Sequence, residues 1–200
     1  MKMRLVLALS LGLAAISGSA HAQSALDKYL QKNTESGSGK SNADEAGINK
    51  VYKSGEGYWR LDDGRATGGF CAITYVTPAY FAGFLGGGPN PKDAIMIFDG
   101  PTIPAIKKEK RKQMTITDAD GLAQTTQAIH SPSATHKEMG SILFRLTGIQ
   151  AAMDELSDVE HVTIVMDKKQ VFSMKWKGGH IARAAMQKCL ASTPSAGAKK

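Results

Sequence analysis

Cysteine is scarce in this 200-residue chain: only two are present, which excludes a disulfide-dense mini-protein and any four-cysteine zinc site. Long apolar runs are also missing. The longest, Leu5 to Ile16, spans about 12 residues, short of the roughly 20 that a helix needs to cross a bilayer, and later runs reach about 6. None of the sequence-local signatures G-x-S-x-G, S-x-x-K or H-E-x-x-H occurs, so a serine hydrolase or zinc protease would have to assemble its site from scattered residues. Ser38-Gly39-Lys40-Ser41 imitates the end of a phosphate loop, but Thr34 stands where the first glycine belongs. Asp118, Asp120 and Gly121 imitate a calcium loop, yet Ile116 and Gln127 fall at its two anchoring positions.

What is present begins with an export signal. Lys2 and Arg4, the apolar stretch and the small residues ending in Ala20-His21-Ala22 predict a signal peptide over 1–22, and a mature chain with no membrane span. The 25 Lys and Arg against 18 Asp and Glu give +7; cleavage removes two bases and leaves +5. A twin-arginine pattern is absent, which implies export of an unfolded chain with no cofactor loaded beforehand. Residues 23–47 read as a short helix, with Ala25, Leu26, Tyr29 and Leu30 on one side, followed by a flexible Ser/Gly/Asn/Asp/Glu linker. A single globular domain is expected over 48–191 and a small, polar, basic tail over 192–200.

Within the domain the hydrophobic period is mostly two. Phe70 to Val76, Ala94 to Phe98, Gln113 to Thr117, Leu122 to Ile129, Ser141 to Leu146, Val162 to Met166 and Val171 to Trp176 read as strands, and the short turns at Asp120-Gly121 and Asp167 to Gln170 require antiparallel neighbours. Two helical stripes interrupt them: Ile149, Ala152, Met153 and Leu156, then Ala182, Ala185, Met186, Cys189 and Leu190. The expected class is α+β: an antiparallel β-rich sheet or sandwich of about six to eight strands, with two helices packed on it. Trp59 and Trp176 are expected in the core, each ring N–H needing a partner.

Cys71 lies in a strong strand and Cys189 on the apolar stripe of the last helix, and export delivers both to an oxidising compartment. A Cys71–Cys189 disulfide is therefore expected, tying the C-terminal helix to the sheet.

Trp59, Phe70-Cys71-Ala72, Phe144 before a short helix, Val171-Phe172-Ser173-Met174, Gly178-Gly179 and the Ala-rich helix ending in Cys189 stand in an order that resembles a loose group of small two-cysteine proteobacterial periplasmic proteins of unknown function. It is loosely similar to the invasion-associated locus B family. The resemblance covers about Gly57 to Leu190; it implies a β-sandwich-like fold with packed helices and carries over no catalytic residue.

Three sets of residues stand out as candidates. Tyr80, Phe81, Phe84 and Leu85 precede Gly86-Gly87-Gly88-Pro89-Asn90-Pro91, and form either a loop presenting aromatic anchors to a partner or a core strand ending in a long turn. Lys107, Lys108, Lys110, Arg111 and Lys112 read as a solvated hairpin or a lysine-guarded edge strand, or as an attraction for an anionic envelope surface. Export makes nucleic acid an improbable partner, and few aromatics lie in the run to stack bases. His130 and His136 in one loop lack a third metal ligand, and Ser133 three residues before His136 reads as a turn residue. The residues together favour an exported, periplasmic or secreted, noncatalytic binding or envelope-associated domain without a cofactor. Its expected partner is an envelope protein or an anionic envelope component. A hydrolase with a nonlocal site, and an inhibitor or immunity module, are the alternatives.

Overall fold

A computed structural model describes residues 50–63, 70–87 and 94–191. The readings for 1–22, 23–47, 192–200 and Gly88 to Pro91 lie outside the described residues. Ten strands form one antiparallel sheet: β1 (Lys50–Ser54), β2 (Gly57–Asp63), β3 (Cys71–Val76), β4 (Phe81–Gly86), β5 (Ala94–Gly100), β6 (Lys110–Thr117), β7 (Ala123–Pro132), β8 (Gly140–Leu146), β9 (Glu160–Met166) and β10 (Lys169–Trp176). Helix α1 (Ile149–Glu155) precedes β9 and α2 (Gly179–Ala191) follows β10. The spatial order is β1-β2-β3-β4-β5-β8-β7-β6-β9-β10. The chain thus meanders through five strands, lays β6 to β8 back beside β5 in reverse order, and returns through α1 to place β9 on β6.

The sheet is larger than the six to eight strands expected, because β1, β2 and β4 do not announce themselves by periodicity. Of these, β4 corrects the loop reading most directly. Its sequence Phe-Ala-Gly-Phe-Leu-Gly looks like a turn, yet it pairs with β3 and β5 along its length. Gly83 sits there because a side chain would press on Ile97 and Thr74 of the flanking strands. In β3, β4, β5 and β8 both faces are buried, which is why they read as near-continuous apolar runs such as Ala-Ile-Met-Ile-Phe.

The sheet curls until its last strand lies across from its second and fourth. Trp59 of β2 meets Trp176 of β10 at 6.0 Å between ring centroids, Phe84 meets Trp176 at 6.4 Å, and Tyr80 meets Phe172 at 5.5 Å, each pair edge to face. These rings belong to the main core, which also takes in Met153 of α1 and Ala182, Ala185, Met186 and Cys189 of α2. A second, smaller cluster on the opposite side of the strands joins Ala72, Leu85, Ile95, Ile97 and Leu143, with Phe81 and Ile129 against it.

Side chains hold the curl closed. The Trp59 Nε1–H donates to the Lys177 carbonyl at 2.8 Å, and the Thr102 hydroxyl donates to the Val171 carbonyl at 2.8 Å. Cys71 and Cys189 are joined in a disulfide with Cα atoms 6.1 Å apart, clamping α2 on β3 as expected. The Asp167 turn is also as read: Asp167 and Lys168 both have positive φ, 52° and 63°, the geometry of a tight two-residue hairpin.

Candidate functional site

A slot opens at one end of the folded sheet, under α1. Its position follows from local packing. Gly86 lets the Ile149 side chain seat directly on β4, where any Cβ would collide with it, and Met153 one turn on is fully buried. The helix is thereby pinned along one stripe, while the small side chains of Ala151 and Ala152 on its neighbouring side border a space above the strands. A cavity of about 50 Å³, open to solvent, remains between them and the sheet. The floor and back wall are apolar, formed by Phe84, Met96, Ile116, Leu146, Val162 and Trp176. The mouth carries Leu122, 47% exposed, on the turn between β6 and β7.

All three ionisable residues lining the slot are acids: Asp118, Glu155 and Glu160. Asp118 is occupied by its turn, its Oδ1 accepting from the backbone N–H groups of Asp120 at 3.0 Å and Leu122 at 2.8 Å. The residues that imitate a calcium loop are thus a self-bonded turn. Burial pushes the Glu155 carboxyl above the ordinary glutamate value, with the neighbouring charge of Asp154 adding to the rise. Glu160 is 3% exposed and faces inward at the start of β9 with Val162. Its Oε1 accepts from the N–H groups of Ala119 at 2.7 Å and His161 at 2.9 Å, while Oε2 has no hydrogen bond among the described residues.

The residues singled out in the sequence do not form this site together. Phe84 lines it, whereas Tyr80 packs on Phe172, and neither of these two lines it. Phe81 and Leu85 point to the opposite side of the strand, into the smaller cluster. The four are therefore not one exposed patch: Phe84 is 4% and Leu85 6% exposed, and Tyr80 and Phe81 are half-buried. Of the basic run, Lys107 and Lys108 are exposed in a loop, while Lys110, Arg111 and Lys112 open β6. There β6 pairs with β7 on one side only, since its pairing with β9 starts at Met114. This half of the strand is an edge, and lysines stand along it. Lys112 forms an ion pair with Asp167. At roughly 3.3 Å per residue along β6, Lys110 stands about 20 Å and Lys112 about 13 Å from Ile116 of the slot.

The histidines go separate ways. His130 is buried with Nε2 against the Pro104 carbonyl at 2.8 Å, whereas the exposed His136 bonds the Thr135 hydroxyl at 2.9 Å. Ser133 Oγ accepts from the backbone N–H groups of Thr135 and His136, so it is a turn residue, as expected. Sequence reading missed a Ser–His contact across the β9–β10 hairpin, Ser173 Oγ to His161 Nε2 at 3.0 Å. Neither residue lines the slot. Among the described residues no three His, Cys, Asp or Glu side chains are grouped so as to hold a metal. The slot itself was also missed. Trp176 and the α1 stripe were legible as core, but nothing in one-dimensional spacing shows that Ala151 and Ala152 leave a gap above them.

No protein-family model, no curated protein and no solved structure matches the chain. Among the described residues no helix is long and apolar enough to cross a membrane.

Proposed function

We propose that this chain is an exported, noncatalytic binding domain whose ligand enters the slot under α1. One observation carries the reading: an apolar cleft walled by Phe84, Met96 and Trp176 stays open in a domain that is otherwise packed through both faces of its central strands. Preformed apolar clefts with a few convergent polar groups are the usual form of small-molecule sites. Export is supported by the signal-like segment 1–22 and by the disulfide, since such bonds persist in oxidising compartments. A periplasmic or secreted location follows from the same two features. The lysine-lined edge of β6 supports a secondary contact with an anionic envelope component. The hydrolase alternative finds no support in Ser133 and His136, because no hydrogen bond joins their side chains.

The test is a titration of the oxidised mature domain with the uncharged fluorescent probe N-phenyl-1-naphthylamine. Saturable one-to-one binding is expected, and Ala151→Trp, at an exposed position over the mouth, is expected to abolish it without lowering the melting temperature. Absence of binding, or binding indifferent to Ala151→Trp, would contradict the reading.

A further inference from the structure

We propose that the slot selects a small cationic amphiphile, an aliphatic chain ending in a protonated amine, with Glu160 as its anchor; this rests on the binding role given above. The chain is basic overall, yet every ionisable residue lining the slot is an acid and the lysine run lies at the far end of β6. A field of this sign at the mouth of a low-dielectric cleft draws cations and repels carboxylates.

Glu160 supplies the specific contact. The Glu160 side chain is nearly buried, the protein engages one of its two oxygens, and the other is not among the buried unpartnered atoms of the described residues, so it reaches the solvent of the slot. Oε1 is fully engaged by two backbone N–H groups, which fix the orientation of the side chain. Oε2 is left as a strong acceptor on the slot wall without a donor among the described residues. An alkylammonium group in the slot would donate to it in a charge-assisted bond while its chain lies along Val162, Phe84 and Trp176. Glu155 and Asp118 at the rim add attraction at longer range. A fatty acid of equal length would place a second anion beside Glu160, and an alcohol would gain the apolar contact without the charge. A peptide bearing a lysine shares the head-group chemistry but brings a bulky polar backbone to a mouth bordered by Leu122 and Ala151.

Displacement of N-phenyl-1-naphthylamine by decylamine, decanol and decanoate, each kept monomeric, tests this on the full oxidised domain. Decylamine is expected to displace the probe at a concentration at least tenfold below the other two, and Glu160→Gln, whose amide oxygen still accepts from Ala119 and His161, is expected to reduce it to the level of decanol. Equal displacement by all three, a preference for decanoate, or an amine preference that survives Glu160→Gln would overturn the assignment while leaving the binding role intact. Failure of the probe itself to bind would remove both. If Glu160→Gln does not fold, Glu155→Gln serves: a several-fold weaker amine preference supports the assignment, and an unchanged one contradicts it.

Discussion

The Trp59 indole N–H and the Lys177 carbonyl are hydrogen-bonded across 118 residues of chain, and Cys71 and Cys189 are joined across the same interval. One tie links β2 to the residue following β10; twelve residues on, the other links β3 to α2. Side chains thus hold the curl where, among the described residues, no strand-to-strand hydrogen bonding closes it. Trp176, the back wall of the slot, packs directly on Trp59. The geometry of the site therefore depends on these ties.

Trp59→Phe removes the indole N–H and part of the ring from a fully buried position. A loss of about 1–3 kcal/mol is expected, combining a missing hydrogen bond with unfilled space. Urea unfolding checks it; an unchanged midpoint would mean that this contact does not hold the curl.

Cys71→Ser and Cys189→Ser are each expected to lower stability by about 4–5 kcal/mol, the chain-entropy estimate for a loop of this length. Differential scanning calorimetry under nonreducing conditions reads the effect, and reduction of the wild type should approach the same melting temperature. Variants melting with the oxidised wild type would show that the clamp does not stabilise the fold.

Phe84→Ala removes a ring that packs edge to face on Trp176 and lines the slot, at a cost of about 3–5 kcal/mol. Phe81→Ala, at a half-buried position on the opposite side of β4, is expected to cost markedly less. Equal effects in thermal melts would contradict the strand assignment and return weight to an exposed aromatic loop.

Asp99 is 2% exposed at the end of β5, and burial raises its pKa above the ordinary aspartate value; hydroxyl groups of Ser133 and Ser141 and the charge of His136 pull it partly back. Between the ordinary and the raised value the native state holds more proton than the unfolded state, so this group's contribution to stability falls as pH rises through that window. Asp99→Asn, which can still accept from the Ser141 hydroxyl that now bonds Asp99 at 2.7 Å, is expected to lie above the wild type in melting temperature at neutral pH. The difference should shrink below the ordinary aspartate pKa. A lower melting temperature for Asp99→Asn at neutral pH would contradict this reading.

Much of the fold is legible in the residues. The alternation of Phe172, Met174 and Trp176, the Asp167 turn and the two helical stripes are each set by local chemistry, and the disulfide follows once an oxidising compartment is assumed. What escapes is set by tertiary context. β4 carries two glycines in six residues, required by close approach of Ile97, Thr74 and Ile149 from distant segments, so its composition imitates a loop. β1 is short and carries two lysines, and β2 carries an arginine and two aspartates, charges that hide their period. The slot is less legible still, because it is a space between residues from seven strands and a helix. Glu160, its one nearly buried carboxylate, stands in the sequence as an unremarkable acid before a strand.

The most direct test of the slot as the binding site is a methyl NMR titration of the oxidised domain carrying ¹³C-methyl methionine, with decylamine as ligand. Nine methionines are present in the chain and one of them, Met96, lines the slot. A saturable shift of the Met96 resonance, with Met166 and Met174 unmoved, is expected. A Met96 signal that stays in place at saturating ligand, or shifts of equal size at all three, would contradict binding under α1.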